Sequence, residues 1–423
     1  MPQFPALESD TKTDVLIIGG GMAGLLTAFA LTQAGARVLL IERDELCGGV
    51  TGNTTAKLTA QHGLIYHRIA ENFSWEAARK YWEIQTAALE KYRQLSDCFP
   101  CDLETTDAWM YTRQPSEELE REMETLHTLK IPAVYEQTAP LPFETAGAIR
   151  FPMQAQFHPL KFAAGIARNL HIRTHTAALA FEGKMVHTNR GTIQAEQIVI
   201  ATHFPMLNKH GAYFLKLYQE RSYVLALENV KKPEGMYLDA EGGLSLRSYG
   251  DALLLGGGSH RTGKPSDGWH GLEQAAAQYY PLSKEKYRWA AQDCMTLDGL
   301  PYIGQYGKRT PGLYVATGFN KWGMTNSMVA AAVLSDRLMG RDNEYADLFS
   351  PRRSMLWPQL WKNSAETVRS LCTWRKPRCP HMGCALKWNP QEHSWDCPCH
   401  GSRFAEDGKL LDNPANGDLK STE

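Results

Sequence analysis

Two short boxes near the C-terminus hold the side chains in this sequence that are best suited to bind a metal. The first box contains Cys379 and His381, and the second contains Cys397 and His400, with 15 residues between His381 and Cys397. Proline and glycine residues beside these side chains predict tight loops. Cysteine thiolate and imidazole are ligands for zinc and for iron–sulfur centres. Two such loops that face each other would hold a metal centre with four protein ligands.

Three interpretations of the two boxes compete. A structural zinc site of the Cys₂His₂ kind would use all four side chains on one metal ion. A [2Fe–2S] centre of the Rieske kind would place both cysteines on one iron and both histidines on the other. A scaffold made of disulfides alone fits poorly in an intracellular protein, which this chain is expected to be.

The boxes closely resemble the C-x-H and C-x-x-H motifs of the Rieske [2Fe–2S] family, including two additional cysteines. The resemblance implies that the four side chains named above ligate iron and that Cys384 and Cys399 form a disulfide. It also implies that the Ser402 hydroxyl donates to a cluster sulfur, whereas Phe404 stands where high-potential members carry a tyrosine. With one donor missing, we expect a reduction potential below the top of the Rieske range of roughly −150 to +300 mV.

A glycine-rich segment near the N-terminus predicts a dinucleotide-binding unit. Residues 14–18 predict a buried strand, residues 22–34 a helix and residues 38–41 a second strand that ends in an acid. The intervening G-x-G-x-x-G provides a tight turn, close backbone approach to a pyrophosphate, and helix–strand packing, while the acid accepts hydrogen bonds from a ribose. The predicted cofactor contacts of this unit are Gly19, Gly21, Met22, Ala23, Gly24, Glu42 and Arg43.

Four later stretches favour FAD over a nicotinamide cofactor. Residues 48–58, 198–203, 296–304 and 312–328 resemble, in order, segments of the FAD-dependent oxidoreductases of the D-amino-acid-oxidase type. In that family the helix after the last stretch directs its N-terminus at the flavin ring, where the helix dipole favours the reduced anion. No second G-x-G-x-x-G occurs in a suitable context. The resemblance implies further FAD contacts at Thr54, Thr55, Ala56, Ala201, Thr202, Gly304, Gly318, Gly323, Met324 and Thr325.

Because these stretches are interleaved with other segments, the FAD-binding domain should be discontinuous. Residues 75–95 and 117–129 predict helices, and residues 221–227 and 245–258 predict strands of a mixed or antiparallel sheet. The expected fold is α/β, with a Rossmann-like FAD-binding domain, a mixed-sheet substrate domain and a small all-β Rieske-like module. The FAD-binding domain is assigned to residues 11–74, 146–205 and 291–345, and the substrate domain to residues 75–145 and 206–290. A linker at residues 346–370 leads to the Rieske-like module at residues 371–423.

The Rieske-like module is short. Only about two dozen residues separate the end of the flavin part, near Arg353, from Cys379. This length is insufficient for the strands that normally precede the first ligand loop. Either cluster binding depends on docking to the flavin domain, or the module does not hold its cluster.

Composition limits the possible functions. The chain has 423 residues, a net charge of −1 and 43% hydrophobic residues, which is ordinary for a globular protein of two or three domains. A balanced charge argues against a general affinity for nucleic acid or for anionic membranes. The apolar run at residues 15–31 lacks a basic leader and is interrupted by glycines, so neither a signal peptide nor a transmembrane segment is predicted. We expect a cytoplasmic location.

Two side chains are candidates for substrate recognition. Amino-acid-oxidising relatives carry an arginine in a Trp-x-Gly-x-Arg sequence, whereas this chain has Asp293 at the corresponding position after Trp289. An aspartate would repel a carboxylate and attract an ammonium group, which favours an amine as substrate. Arg261 could instead supply a bidentate carboxylate clamp. No catalytic acid or base is assigned.

The order of the parts resembles bacterial FAD-dependent oxidoreductases with a C-terminal Rieske domain. This resemblance implies oxidation of a C–N bond in an amine or amino-acid-like substrate, with electrons passing one at a time from flavin to the [2Fe–2S] cluster. The external acceptor would be a ferredoxin-like protein, a quinone or a similar carrier. Two alternatives are an electron-transfer protein that serves a partner enzyme, and a flavin oxidase with a structural zinc tail.

Overall fold

A computed structural model describes residues 1–207, 210–374 and 377–419. Within these ranges the helices are α1 Met22–Gln33, α2 Tyr66–Asn72, α3 Trp75–Cys98, α4 Glu117–Thr128, α5 Pro159–Ala167, α6 Tyr213–Lys216, α7 His270–Tyr279, α8 Gly323–Leu338 and α9 Pro358–Leu371. The strands are β1 Thr11–Ile18, β2 Val38–Ile41, β3 Lys57–Leu58, β4 Glu104–Thr112, β5 Val134–Glu136, β6 Gly147–Gln156, β7 Ile172–Arg173, β8 Ala178–Glu182, β9 Met185–Thr188, β10 Gly191–Ile200, β11 Leu217–Glu228, β12 Met236–Asp239, β13 Ser245–Tyr249, β14 Ala252–Arg261, β15 Lys284–Thr296, β16 Tyr302–Gln305, β17 Leu313–Thr317, β18 Lys387–Asn389, β19 Ser394–Asp396, β20 Arg403–Ala405 and β21 Leu410–Asp412.

The first sheet is the predicted nucleotide-binding sheet. Its path is β16-β17-β10-β1-β2-β7, and the hairpin β8–β9 extends it from β10. Strands β17, β10, β1, β2 and β7 run parallel, as expected for strands connected by helical crossovers. The end of β1 is buried on both faces, because α1, α3 and α8 cover one side and β8–β9 lies towards the other. The predicted order of strand, glycine turn, helix and strand is confirmed.

The second sheet is mixed, as predicted. Its path is β15-β11-β14-β13-β12-β4-β6-β3, with β5 paired to β6, and only β12 and β4 run parallel. The range 245–258 contains two strands, β13 and most of β14, joined by a turn at Gly250. Strand β6 belongs to this sheet although residues 146–205 were assigned to the FAD-binding domain. Strand β15 likewise crosses the assigned boundary at residue 291, so both strands join the two parts of the chain.

The C-terminal module is a small antiparallel sheet in the order β18-β19-β20-β21. Helix α9 precedes it and covers the second half of residues 346–370, which were predicted to be a linker. The side chain of Ser370 donates to the carbonyl of Ala385 over 3.2 Å, so the end of α9 lies against the first metal-binding box. The module is therefore all-β with one supporting helix.

The turn between β1 and α1 generates a test of the fold. A methyl group on Gly24 would lie 1.9 Å from the carbonyl oxygen of Gly19, so Gly24→Ala should destabilise the protein by about 1–3 kcal/mol or more. The matched control is Gly271→Ala, because Gly271 lies in helix α7 with no atom within 4 Å of the added methyl. We expect a lower thermal midpoint, by circular dichroism, for the first variant and an equal or higher one for the second. Equal thermal midpoints for Gly24→Ala and wild type would contradict the close packing of Gly24 against Gly19.

Candidate redox site

The glycine turn has the geometry that a dinucleotide phosphate requires. Gly19 has φ +115°, and a Cβ there would lie 2.5 Å from the carbonyl oxygen of Ala201, so only glycine fits between β1 and β10. The backbone N–H of Gly20 donates to Glu42 Oε2 over 2.6 Å. This bond holds the predicted ribose-binding carboxylate beside the turn. Both glycine spacing and acid position fit an adenosine dinucleotide.

The other predicted FAD contacts lie on loops and strand ends around this sheet. Thr54 accepts a hydrogen bond from the N–H of Ala56 over 3.0 Å, so its loop is internally held. Thr202 follows β10, and Gly304 lies on β16 with φ +140°. Arg43 is exposed and pairs with Asp44 at the surface. The roles of these residues in FAD binding remain predictions.

The N-terminus of α8 contacts a buried, hydrogen-bonded histidine, His62. His62 lies 2.9 Å from Thr325 Oγ1 through Nε2 and 2.6 Å from the Tyr81 hydroxyl through Nδ1, and its ring stacks on Trp322. Burial lowers the pKa of His62 to about 3, so the ring is neutral. A neutral histidine with both nitrogens bonded supports the loop before α8 and has no free proton to exchange. Gly318, Gly323 and the adjacent Met324 lie on this same loop and helix start.

Two cations lie at the end of the predicted flavin-side loop, the half-buried Lys57 in the loop itself and the buried Arg247 on β13, and no sequence motif indicates this pair. Lys57 Nζ donates to the carbonyl of Tyr237 over 3.0 Å and to the Ser245 hydroxyl. Arg247, which is 3% exposed, donates from Nη1 to the carbonyl of Ala56 over 2.9 Å, and its Nε is buried without a partner. Among the described residues, no carboxylate lies within 4.0 Å of either cation.

The electrostatics of this pair favour an anion. Burial, together with the charge of Arg247, lowers the pKa of Lys57 to about 7. Burial lowers the pKa of Arg247 to about 10. The charge of Glu104 raises the pKa of Arg247 against burial, but neither cation forms an ion pair in the described residues, so a carboxylate between them would stabilise both charges. Little in the sequence indicates that Lys57 and Arg247 form a pair, because they are 190 positions apart.

The four predicted metal ligands lie together. Cys379 and Cys397 are buried in one cluster of the module, and the rings of His381 and His400 have centroids 4.9 Å apart. A hydrogen bond with Cys397 and, against the opposing effect of burial, a smaller contribution from the Ser402 hydroxyl lower the pKa of the Cys379 thiol, which favours the thiolate that a metal requires. The boxes thus meet as predicted, although their role as ligands remains a prediction.

The surroundings of the boxes fit a buried [2Fe–2S] centre. The predicted disulfide between Cys384 and Cys399 is confirmed, and Cys397 Sγ lies within 4.8 Å of both its sulfurs. Both ring nitrogens of the buried His400 lack a hydrogen-bond partner in the described parts of the chain. Burial, then the charge of His381, lowers the pKa of His400 to about 3, so its ring is neutral and able to ligate.

The second box is fixed to the mixed sheet by side chains of β11 and β15. Gln219 Nε2 donates to the carbonyl of His400 over 2.7 Å, and Gln292 Nε2 donates to that of Gly401 over 2.8 Å. Gly401 has φ +84°, and a Cβ there would lie 2.6 Å from the Gln219 side chain. The close approach therefore requires glycine. The ring of His400 also faces Phe204 and Phe214.

A buried ion network holds the same face of the module. Arg221 on β11 makes two hydrogen bonds to the carboxylate of Glu392, and the side chains are 8% and 10% exposed. Arg403 bonds to Glu392 over 2.9 Å, to Asp396 over 3.0 Å and to Asp412 over 3.0 Å. Each buried charge thus has a partner, which is the condition for a tolerable burial cost.

The structure corrects the proposed role of Arg261. Its guanidinium donates to the carbonyls of Pro398 and Cys399, each over 2.9 Å, and to Asn363 Oδ1 over 2.8 Å. These bonds hold the second box and α9, so Arg261 is not available as a substrate clamp. Sequence reasoning failed here because the partners lie more than 100 residues away.

Asp293 lies on β15 opposite Glu220 of β11. Burial raises the pKa of Asp293 to about 6, against the opposing charge of Lys321. Lys321 also pairs with Glu220 over 2.8 Å. Asp293 therefore belongs to a local charge cluster, and its role in substrate choice stays a prediction.

Two protein-family models match the chain. The model described as FAD dependent oxidoreductase matches residues 14–337, and the model described as Rieske [2Fe-2S] domain matches residues 360–423. The second match supports the Rieske interpretation of the boxes over structural zinc. In the described residues, no helix is long and apolar enough to cross a membrane.

Similar proteins agree with both matches. The chain is 34% identical to YhfW of Bacillus subtilis (strain 168), over 100% of this chain and 96% of the relative. The name of that relative describes it as a Rieske 2Fe-2S iron-sulfur protein. Glycine oxidase from Geobacillus kaustophilus has the same fold, with a TM-score of 0.68 and 20% identity over 81% of this chain and 99% of that one. L-proline dehydrogenase from P. horikoshii also has a TM-score of 0.68, with 16% identity over 83% of this chain and 98% of that one. The chain is a member of the FAD-dependent oxidoreductase family and carries a C-terminal Rieske [2Fe–2S] domain.

Proposed function

We propose that the protein is a dehydrogenase that oxidises a C–N bond of a carboxylate-bearing amine and delivers the electrons through its Rieske domain to an external acceptor. When bound, FAD supplies two-electron oxidation of the substrate and the [2Fe–2S] cluster supplies one-electron transfer. The observation that carries the proposal is the position of the second ligand box on one face of β15, whose other face contacts the predicted flavin-side loop.

The two cofactor regions contact opposite faces of strand β15. Side chains alternate between the faces of a strand, so Trp289 and Gln292 on β15 point in opposite directions. Trp289 Nε1 donates to the carbonyl of Asn53, in the predicted flavin-side loop, over 2.9 Å. Gln292 donates to the second ligand box. A single layer of sheet thus separates the two regions, which favours electron transfer within one molecule.

The cation pair supports a substrate with a carboxylate. Lys57 lies at the end of the predicted flavin-side loop, Arg247 donates to the carbonyl of Ala56 in the same loop, and neither cation forms an ion pair within the described residues. Arginine and lysine together bind a carboxylate with several charge-assisted hydrogen bonds. The names of two structurally similar enzymes, a glycine oxidase and an L-proline dehydrogenase, refer to amino acids. We therefore favour an amino-acid-like substrate over a simple cationic amine.

The main test is anaerobic reduction by candidate substrates. We expect an amino acid from a panel that includes glycine, L-proline and D-alanine to bleach the flavin, and a reduced-cluster EPR signal to follow. Cys379→Ser should keep the bleaching and lose the EPR signal, because one iron ligand is removed. Cys98→Ser, which changes an exposed free thiol, serves as control and should behave as wild type.

Two outcomes would contradict the proposal. If dithionite reduces both cofactors but no amine or amino acid bleaches the flavin, the protein serves a partner enzyme as an electron carrier. If metal analysis finds zinc without iron, the C-terminal module has no redox role.

The depressed pKa of Lys57 predicts a pH dependence of carboxylate binding. Lys57 is charged below its pKa of about 7 and neutral above it, so an anion should bind more weakly as pH rises through this value. We expect the Kd of benzoate, followed by flavin absorbance, to rise by up to about tenfold per pH unit above pH 7. Lys57→Met should remove this dependence.

Two controls define that experiment. Benzamide has the same shape without the charge, so its Kd should not follow the titration of Lys57. Lys161→Gln removes an exposed lysine that pairs with Asp102 and should leave benzoate binding unchanged. Benzoate binding with the wild-type pH profile in Lys57→Met would rule out a role for this lysine.

Docking of the module should depend on Glu392. Glu392→Gln leaves the buried guanidinium of Arg221 with only Asp412, 3.9 Å away, as a charged partner, and breaking a buried ion pair costs up to about 3–5 kcal/mol. We expect faster amide hydrogen exchange in residues 386–412 and slower cluster reduction after flavin bleaching, with the bleaching rate unchanged. Glu196→Gln breaks an exposed pair with Lys184 and should change exchange little. Wild-type exchange and cluster reduction in Glu392→Gln would show that the network does not hold the module.

A further inference from the structure

Helix α9 presents its apolar side to solvent and its polar side to the protein. Among its residues, Asn363 and Ser370 are buried, and they bond to Arg261 and to the carbonyl of Ala385. Trp361 is 72% exposed and Val368 is 61% exposed. A surface helix of a soluble protein normally has the opposite arrangement, in which the apolar stripe packs against the core and the polar side faces water. The exposed side of α9 therefore requires a partner that is not in this chain's own core.

Three exposed apolar side chains of the helix lie on one side of it, which we call the α9 face. Trp361, Val368 and Leu371 are spaced seven and three residues apart, so they lie on one side of the helix. Leu356 before the helix and Trp374 after it are 83% and 96% exposed. Contiguous apolar patches of this kind on soluble proteins mark interaction sites.

The segment around the α9 face is strongly basic. Residues 354–378 contain five lysines and arginines and one acid, within a chain whose net charge is −1. The one acid, Glu366, is paired with Lys264. Lys362, Arg369 and Arg378 are exposed. The balanced charge of the whole chain thus conceals a local cationic region.

We propose that the α9 face binds the surface of a bilayer that contains anionic phospholipid. Helices that lie in the membrane interface combine tryptophan and aliphatic side chains on one side with lysine and arginine beside them, as α9 does. A second copy of this chain fits less well, because a symmetric contact would bring two cationic segments together.

The α9 face adjoins the first ligand box. Arg378 Nη1 donates to the carbonyl of Gly383 over 2.7 Å, and Met382 in the same loop is 37% exposed. Membrane binding would place this box at the bilayer surface. The binding itself depends only on α9 and its flanks, so it is separable from the proposed redox activity.

The test is cosedimentation of the full-length holoprotein with vesicles. We expect binding to vesicles of phosphatidylglycerol and phosphatidylcholine, weak binding to phosphatidylcholine alone, and release by salt. The double variant Trp361→Ser/Val368→Ser should bind roughly tenfold or more weakly, since both apolar anchors are lost. Lys362→Glu/Arg369→Glu should lose the preference for anionic vesicles.

The control is Leu282→Ser, which removes an exposed apolar side chain from a different surface and should bind as wild type. Circular dichroism and flavin content verify that each variant is folded. Absence of binding to every vesicle composition, or binding that the double variant retains in full, would overturn the proposal. So would self-association, measured by analytical ultracentrifugation, that the double variant abolishes, because the α9 face would then be an interface between copies.

Discussion

The contact between strand β11 and the C-terminal module determines how the parts of this molecule can work together. Arg221 and Glu392 are both nearly inaccessible to water, and removing two charges from water is favourable only when they meet in good geometry. Their two parallel hydrogen bonds fix both distance and orientation. Hydrophobic packing alone would allow the small sheet to slide on β11. The ion network therefore selects a single docked arrangement, in which the second ligand box lies on Gln219 and Gln292.

This docking also explains how a shortened Rieske module is supported. The sequence contains too few residues ahead of Cys379 for the strands that normally support the ligand loops. In the structure, two other elements lie against the boxes: α9 contacts the first one through Ser370, and the mixed sheet contacts the second one through Gln219 and Arg261. Of the two alternatives posed by the sequence, dependence on docking is the one that this geometry favours. The module and the flavoprotein then form one structural unit.

Local features were predictable from the sequence because their physical causes are local. The strand, glycine turn and helix from Thr11 to Gln33 depend on neighbouring residues, and so do the two ligand boxes. The Cys384–Cys399 pair followed from the family resemblance. By contrast, Arg221, Gln219 and the Lys57–Arg247 pair act on partners more than 170 positions away. Nothing in their own neighbourhoods distinguishes them from ordinary strand residues, and Arg261 was assigned to substrate for the same reason.

The net charge of the whole chain did not reveal its local basic segment. A net charge of −1 argued against affinity for anionic surfaces, yet one basic segment coincides with the most exposed tryptophans. Average charge describes the long-range field, whereas binding at a surface depends on charges within about one Debye length. The structure locates that segment on a helix whose polar residues already bond to the protein, so its apolar residues can only face outward. The charge of a local segment therefore becomes informative once the fold shows which residues share a face.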